Sequence, residues 1–314
     1  MSNHQPILHL APMCNITNRA TREIAKKLKS DVTWSEMISS EGLVRQNQAN
    51  NKSLQLATKF SDKESPYWVQ LFGTNPENMA KAAKIIEQKI QPTGIDINLG
   101  CPVPKARKGG YGATQIQNIP QVIQIIKAIK STVNLPLSLK TRLGLKEPTE
   151  ILEFAPKLTR AGLDQLAVHA RTLKGMFSEE PKWQIVKQLN DTLNIPVIYN
   201  GGIKTPEDAQ FYLQNTGCQN LMIGQASIGN PWIFSEIKYF LQHNRQLVIP
   251  LETKKRHITQ HAELTIKHFG TKGLIGFRTQ FSAYLRTIRA PKQIRQQAVQ
   301  IRTINELKNL LNSF

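Results

Sequence analysis

Eight short apolar runs, each ending in glycine, asparagine or polar residues and each followed by a helical pattern, constrain this chain most. Strand-then-helix segments are the repeating unit of parallel α/β proteins, and eight of them close into a (β/α)8 TIM barrel. A doubly wound open sheet is the alternative, but no GxGxxG turn follows any of the runs. The runs occupy residues 7–13, 32–39, 67–73, 94–100, 135–144, 165–172, 195–202 and 220–227.

The strand pattern stops after Pro250, and the rest of the chain is helical in pattern. Apolar residues at three- and four-residue spacing predict helices over 253–269, 274–288 and 292–311. We therefore expect two domains, an α/β barrel over residues 1–245 and a small all-α domain over residues 246–314.

The charge of the chain points to a polyanionic partner, with nucleic acid the first candidate. The net charge is +19, and residues 251–314 hold 12 Lys or Arg against 3 Glu. A mutational bias towards lysine is the alternative explanation. It would not place 6 of the 14 arginines in this final segment.

Several common classes of protein lack support in the sequence. No apolar stretch reaches the roughly 18 residues of a membrane span, and the N-terminus lacks the pattern of a signal peptide. The 3 cysteines are widely spaced and form no metal-type cluster. We expect a reduced, cytoplasmic protein, a monomer, with neither a membrane nor a metal partner.

The stretch GIDINLGCPVPKARKGGYGA, residues 94–113, is the most distinctive in the chain. Apolar residues alternate with Asp96 and Asn98, which predicts a buried strand, and Pro102 and Pro104 predict an extended loop after it. Cys101 would then lie at the carboxyl end of a parallel strand, where such proteins carry out chemistry. The alternative is a small buried hydrophobic residue.

Polar residues collect at the ends of the other runs as well. Lys140 alternates with leucines in LPLSLKTRLG, so its ammonium group should lie at the inner mouth and need an anionic partner. A structural salt bridge is the alternative for Lys140, and a core histidine is the alternative for His169 in AVHART. The glycines of NGGI and IGQA resemble a phosphate cradle, although turns between helices and strands also use glycine.

A series of segments, taken in order, resembles the tRNA-dihydrouridine synthase family, and most of all its B-type bacterial branch. The tail segment FRTQFSAYLRTIR is similar to the helical domain of that family. The segments are LAPMCNITN, SEMIS, VQLFG, DINLGCPVPK with GGYGA, LKTRLG, VHART, NGGI and MIGQASIGNPWIF.

The resemblance implies an FMN enzyme that reduces the C5–C6 bond of uridine in tRNA with NADPH or NADH. Hydride would pass from reduced flavin to C6, and Cys101, at the position of the proton donor of the family, would protonate C5. A basic tail would bind the tRNA. The residues implied for the cofactor are Pro12, Met13, Cys14, Gln70, Lys140, His169, Asn200, Gly201, Gly202, Gly224 and Gln225. Those expected to contact the substrate are Asn98, Lys105, Arg171, Arg286 and Arg289.

The chemistry agrees with these residue types. A cation such as Lys140 would stabilise an anionic reduced flavin. Thiols titrate at about 8.5 in model peptides, so a thiol can donate a proton at neutral pH. Because no Rossmann fingerprint is present, the nicotinamide nucleotide should use the same open site as the substrate, in a ping-pong cycle.

The sequence departs from the family pattern at three points. Gln225 stands where most members carry an arginine that would bind phosphate, and Cys14 stands in place of the usual alanine. Thr279 and Gln280 replace a common Lys-His pair, which affects the expected docking of RNA.

Two other functions remain open on the sequence alone. A flavin barrel that acts on free pyrimidines or dihydroorotate would use a similar cradle but would not need the basic tail. A basic RNA-binding or chaperone module on a catalytically idle barrel would need no flavin. No pattern supports a hydrolase, because neither a Ser-His-Asp order nor paired carboxylates are present.

Overall fold

Parallel strands form one sheet in the computed structural model, which describes residues 5–45, 55, 60–176 and 178–314. The strand order is β1-β9-β8-β7-β6-β5-β4-β2, and β3 also pairs with β4. The strands are β1 (Ile7–Leu10), β2 (Thr33–Trp34), β3 (Ile38–Ser39), β4 (Tyr67–Phe72), β5 (Gly94–Leu99), β6 (Leu137–Arg142), β7 (Gln165–His169), β8 (Val197–Asn200) and β9 (Asn220–Ile223).

The second predicted strand is wrong as one continuous element, because it is split into β2 and β3. The backbone N–H of Gln70 in β4 donates to the Ser35 hydroxyl oxygen at 2.9 Å. A side chain therefore replaces the backbone acceptor that an uninterrupted strand would offer at this point. Both short strands still pair with β4, so they share one position in the barrel.

The sheet closes next to β1. The N–H of Leu10 donates to the Val32 carbonyl at 2.9 Å, and the N–H of Val32 donates to the Leu8 carbonyl at 3.2 Å. This seam joins the first strand of the sheet to the segment that leads into β2. The prediction of a barrel is thus confirmed, and an open sheet is excluded.

The barrel interior is filled at its lower end by two stacked tryptophans. The rings of Trp34 and Trp68 lie 5.4 Å apart between centroids. The Trp34 indole N–H donates to His9 Nδ1 at 3.2 Å, and His9 Nε2 lies 3.1 Å from Asn220 Oδ1. Burial lowers the pKa of His9 to about 4, so the imidazole is neutral. Because this end is packed, the open end of the barrel is the mouth at the carboxyl ends of the strands.

Helices surround the sheet and pack on the outward-facing leucine, isoleucine and valine side chains of the strands. The first nine are α1 (Arg19–Lys27), α2 (Ser40–Arg45), α3 (Pro76–Ile90), α4 (Pro104–Lys108), α5 (Ile119–Lys130), α6 (Glu150–Arg160), α7 (Trp183–Thr192), α8 (Pro206–Thr216) and α9 (Ile233–His243). No helix in the described residues is both long and apolar enough to cross a membrane.

The loop predicted after β5 is only partly extended. Val103 has extended backbone angles, but Pro104 begins the short helix α4. Proline is tolerated in the first turn of a helix, where its missing N–H would have no intrahelical partner. The prolines therefore fix the start of this helix rather than preventing one.

The tail contains four helices, α10 (Leu251–Phe269), α11 (Gly273–Thr287), α12 (Lys292–Gln297) and α13 (Ile304–Asn312). The single helix predicted over 292–311 is wrong. The chain breaks before Thr303, which caps α13, and Arg278 Nε donates to the freed carbonyl of Ile301 at 2.8 Å. That hydrogen bond satisfies a carbonyl that a continuous helix would have used itself.

The tail packs against the outside of the barrel at α1. Ile24 and Leu28 of α1 belong to the same buried cluster as Ile258, Phe277 and Phe281 of the tail. The His261 ring bridges the two parts, since its Nδ1 lies 2.9 Å from Tyr284 Oη and its Nε2 lies 3.3 Å from Thr21 Oγ1. The boundary between residues 245 and 246 stays a prediction.

Gly229 is a second point of contact between the barrel and the tail. Its N–H donates to Gln280 Oε1 at 3.3 Å, and its φ is +66°. An added Cβ would lie 2.3 Å from the Ala283 carbonyl carbon. Gln280 is buried in this contact. This residue, which differs from the family pattern, therefore helps to dock α11 on the barrel and is not part of the exposed surface.

We expect Gly229→Ala to lower the free energy of unfolding by about 2–4 kcal/mol. Overpacking costs roughly 1–3 kcal/mol, and a left-handed alanine adds about 1 kcal/mol. Gly276→Ala in α11 is the matched control, because nothing lies within 4 Å of its added Cβ. This control should be neutral or slightly stabilising. Equal urea unfolding curves for the two variants would contradict the tight contact.

Candidate active site at the barrel mouth

Inward-facing polar side chains form a layer at the mouth of the barrel. Strand register sets this layer, because Asn98 lies opposite Lys140, and His169 lies opposite Asn200, on neighbouring strands. Gln70 of β4 joins them through a hydrogen bond from Asn98 Nδ2 to Gln70 Oε1 at 2.8 Å. The barrel therefore brings together, in one layer, residues that the sequence predicted at the ends of five different strands.

Cys101 lies half-buried in a turn just beyond β5. Asn98 Oδ1 accepts hydrogen bonds from the N–H of Cys101 at 3.1 Å and of Gly100 at 3.3 Å. The N–H of Ala113 donates to the Cys101 carbonyl at 3.2 Å. A Cβ on Gly112 would lie 2.8 Å from that carbonyl, so the glycine lets the 109–113 turn pack against Cys101.

Arg142 fixes the same turn from β6, a role that the sequence did not predict. Its Nε donates to the Gly100 carbonyl at 3.1 Å, and its Nη1 donates to the Thr172 carbonyl at 3.0 Å. Burial lowers its pKa to about 10, and the neighbouring Arg171 lowers it further. Its place at an inward-facing position of β6, two residues after Lys140, was the signal that could have identified it.

Lys140 forms no salt bridge with the described part of the chain. Its Nζ donates to Asn200 Oδ1 at 3.0 Å, and Asn200 Nδ2 donates to the Met222 carbonyl at 2.8 Å. Burial lowers the pKa of Lys140 to about 8, and Arg142 acts in the same direction. The salt-bridge interpretation of Lys140 therefore lacks support, and its charge faces a site without a neutralising carboxylate at contact distance.

His169 is buried at the end of β7. Burial lowers its pKa well below the ordinary value, and the positive charges of Lys140, Arg142 and Arg171 lower it further. Arg171 Nη1 lies 3.3 Å from His169 Nε2. Because a guanidinium group only donates, Nε2 must be the acceptor, and Nδ1 carries the proton. Arg171 Nε also donates to the Glu179 carbonyl.

The glycines after β8 and β9 lie next to each other, since the two strands pair. Gly201 and Gly202 have φ values of +119° and +75°, and a Cβ on Gly202 would lie 2.4 Å from Tyr212 Oη. Within the described chain, the N–H groups of Gly201, Gly202, Gly224 and Gln225 donate no hydrogen bond. These free donors at adjacent strand ends suit an anion.

The segment after β1 borders this cradle. A Cβ on Gly224 would lie 3.7 Å from Met13 Sδ. Thr17 Oγ1 holds the loop, because it accepts the Met13 N–H at 2.9 Å and donates to the Met13 carbonyl at 3.1 Å. Pro12 is half-buried and Cys14 is exposed. Burial raises the pKa of the Cys14 thiol.

The remaining predicted substrate residues do not belong to the hydrogen-bonded layer. Lys105 is exposed on α4, close behind the Cys101 turn. Arg286 is exposed at the end of α11, and Arg289 is exposed just after it with a φ of +56°. These three residues are exposed, and their contacts with the substrate stay a prediction.

Comparison with known proteins decides the family. The family model described as "Dihydrouridine synthase (Dus)" matches residues 9–314. This chain belongs to the dihydrouridine synthase family. The resemblance of the motifs is confirmed, and the chain is an enzyme of this flavin-dependent oxidoreductase family.

Curated relatives of this chain match over most of their length. "tRNA-dihydrouridine synthase B" of Shewanella oneidensis is 36% identical over 82% of this chain and 79% of its own. "Probable tRNA-dihydrouridine synthase" of Aquifex aeolicus is 30% identical over 95% of this chain and 92% of its own.

Solved structures support the fold. Histamine dehydrogenase from Rhizobium sp. 4-9 superposes with a TM-score of 0.60 at 11% identity, over 98% of this chain and 62% of that one. A 2-naphthoyl-CoA reductase superposes with a TM-score of 0.59 at 10% identity, over 94% and 68% of the two chains. At these identities the likeness concerns the barrel architecture alone.

We predict that His169 stays neutral at pH 6, with the proton on Nδ1. Arg171→Gln should raise its pKa, because one nearby positive charge is removed. Long-range ¹H–¹⁵N NMR reports both the tautomer and the titration. The urea-unfolded chain supplies the reference, with a pKa of about 6.5. A folded-state titration at that value, unmoved by the substitution, would contradict the geometry.

Proposed function

We propose that this protein binds FMN at the barrel mouth and reduces uridine in tRNA to 5,6-dihydrouridine with NADPH or NADH. One observation carries the proposal. Among the described residues, the mouth combines a structured Cys101 turn, an ammonium group without a carboxylate partner and a set of backbone N–H groups that donate no hydrogen bond. That the protein is cytoplasmic and that it is a monomer both stay predictions.

The glycine cradle fits the phosphate of FMN. Free N–H groups at Gly201, Gly202, Gly224 and Gln225 can bind a phosphate without any cationic side chain. The Gln225 side chain is exposed and carries no charge, so the backbone would supply most of the binding. Met13 borders the cradle at Gly224, which suits a segment that backs the flavin ring.

Lys140 fits the ring of the cofactor. Bound FMN would supply the hydride for uracil C6 after reduction by the nicotinamide nucleotide. With a pKa of about 8, Lys140 is mostly protonated at neutral pH and can stabilise negative charge. Asn200 orients the ammonium group, and Gln70 and His169 complete the polar wall on either side.

Cys101 is suited to donate a proton to uracil C5. The turn that holds it is fixed by Asn98, by Ala113 and, through Gly100, by Arg142. The Asn98 amide is largely occupied within the protein, since its oxygen already accepts two N–H groups. Asn98 would therefore act on the substrate mainly through the position of Cys101, while Lys105 and Arg171 would contact the RNA.

The tail is suited to bind the phosphate groups of tRNA. Its net charge is +9, and no acidic residue lies between residues 264 and 305. Arg286 and Arg289 are exposed, whereas Arg278 donates to the carbonyls of Ile301 and Gln300. The exposed pair is thus available for phosphate, and Arg278 serves the fold.

Incubation of the purified protein with NADPH or NADH and an unmodified tRNA transcript tests this function. Mass spectrometry of the digested RNA should show uridine converted to a product heavier by two hydrogens. A protein that binds flavin and the transcript but yields no dihydrouridine with either nucleotide would contradict the proposal.

Cys101→Ala should slow uridine reduction by about 10²–10⁴-fold, the usual contribution of a general acid. Flavin reduction by the nicotinamide nucleotide should hardly change, because that step needs no proton on uracil. Cys101→Ser is the matched control for packing. It should also be slow, because an alkyl hydroxyl is a far weaker acid than a thiol. Stopped-flow absorbance follows both half-reactions, and an equal loss in both would contradict the assigned role.

Arg286→Ala with Arg289→Ala should lower the slope of log tRNA affinity against log salt concentration. Each lost phosphate contact reduces the slope by about 0.7 for single strands or 0.9 for duplex. The double variant Lys81→Ala, Lys187→Ala removes the same charge from exposed lysines of α3 and α7 and is the control. Filter binding at several salt concentrations gives the slopes. Equal slopes for the two double variants would mean that the RNA does not contact this face.

A further inference from the structure

We propose that Asp96, inside the barrel beneath the mouth, is a positioning residue that orients Gln70 and Asn98 and so holds the Cys101 turn. The consequence for proton donation rests on the function proposed above. The consequence for the Cys101 thiol itself does not.

A continuous chain of hydrogen bonds links Asp96 to Cys101. Asp96 Oδ2 accepts Gln70 Nε2 at 2.6 Å, and Gln70 Oε1 accepts Asn98 Nδ2 at 2.8 Å. Asn98 Oδ1 then accepts the Cys101 N–H at 3.1 Å. The second Asn98 amide hydrogen points to Met37 Sδ at 3.8 Å. Asp96, Gln70 and Asn98 are all buried, so water does not compete for these bonds.

The Asp96 carboxyl group decides which atom donates and which accepts in each of these hydrogen bonds. An ionised carboxylate only accepts hydrogen bonds, and the neutral acid keeps an oxygen that accepts, so Asp96 favours the arrangement in which Gln70 turns its NH₂ group to Asp96 and its oxygen to Asn98. Asn98 must then present its NH₂ group to Gln70 and its oxygen to the Cys101 N–H. If Gln70 were reversed, two NH₂ groups or two oxygens would face each other along the chain.

The surroundings show that a carboxylate at this depth is costly. Burial raises the pKa of Asp96 to about 7, and the hydrogen bond from Gln70, the adjacent Ser138 hydroxyl and the charge of Lys140 oppose that shift. Its register partners Gln70 and Ser138 are polar, whereas buried apolar side chains such as Trp68 and Ala167 fill other positions of the same strands and their neighbours. An apolar residue at position 96 would avoid the cost of burial but would leave the Gln70 amide without a fixed orientation.

Three variants separate orientation from charge and from packing. Asp96→Ala removes the acceptor for Gln70, whereas Asp96→Asn keeps an acceptor oxygen and loses only the charge. Ser138→Ala is the matched control, because Ser138 is buried opposite Asp96 in register and its hydroxyl lies beside the Asp96 carboxyl group, but it is not one of the links from Asp96 to Cys101. Thermal unfolding and the flavin spectrum of each purified variant establish that it is folded.

The first readout is the alkylation rate of Cys101 by iodoacetamide, measured by peptide mass spectrometry on the protein as purified. An unstructured cysteine peptide added to the same solution is the reference, because its thiol does not depend on the fold. We expect Asp96→Ala to change the ratio of the Cys101 rate to the peptide rate at least about threefold. Asp96→Asn and Ser138→Ala should stay close to the unaltered protein. An unchanged ratio in Asp96→Ala, or the same change in Asp96→Asn, would overturn the positioning role.

The second readout is the rate of uridine reduction at saturating tRNA. A small displacement of a catalytic group costs up to about 100-fold, so we expect Asp96→Ala to lose about 10- to 100-fold. Asp96→Asn should recover most of that loss. A rate in Asp96→Ala equal to that of Ser138→Ala would overturn the proposal. If Asp96→Ala does not fold, Gln70→Met breaks the same chain at its next link, and an unchanged Cys101 ratio there would overturn it as well.

The two readouts distinguish this inference from the proposed function. A changed Cys101 ratio without any dihydrouridine formation in the unaltered protein would reject the function and support the positioning role. Normal dihydrouridine formation in the unaltered protein with an unchanged Cys101 ratio in Asp96→Ala would support the function and reject the positioning role.

Discussion

Closure of the sheet between β1 and Val32 is the constraint on which the site depends. Parallel strands place their carboxyl ends on one edge, and closure turns that edge into a ring. Polar residues separated by 60 or more positions in the chain then face a common space. Lys140 reaches Asn200 in this way, and the loop after β1 reaches Gly224. The stacked tryptophans fill the lower end, so only the upper end can admit a ligand.

Positive side chains dominate the mouth of the barrel. Lys140, Arg142 and Arg171 lie around His169, and their charges lower its pKa. Asp96 lies below them, and its own burial disfavours the charged form. Such an arrangement favours an anionic ligand, because within the described chain the Lys140 ammonium group is held by the neutral Asn200 amide rather than by a carboxylate. The free N–H groups of the glycine cradle add to the same preference. An anionic cofactor and an anionic RNA substrate both suit this field.

Much of the fold was predictable from the sequence, because period-two alternation and strand-then-helix order are local signals. The breaks were not. The division of the second strand depends on the Ser35 hydroxyl meeting Gln70, and the break before Thr303 is accompanied by Arg278 binding the Ile301 carbonyl. Both are contacts between residues distant in the chain. The helix at Pro104 was missed because proline has opposite effects in the first turn and in the interior of a helix.

The candidate site was predictable in position but not in its connections. The predicted strand ends placed Cys101, Lys140 and His169 at the mouth of the barrel, whereas the roles assigned to them came from the family resemblance. Asp96 alternates visibly with apolar residues, yet its partner Gln70 lies on another strand. The most direct measurement mixes tRNA anaerobically with protein whose flavin has been reduced and whose nucleotide has been removed. About one dihydrouridine should form for each flavin oxidised, because one hydride reduces one C5–C6 bond. Flavin that stays reduced while the tRNA remains bound would contradict the proposed reaction.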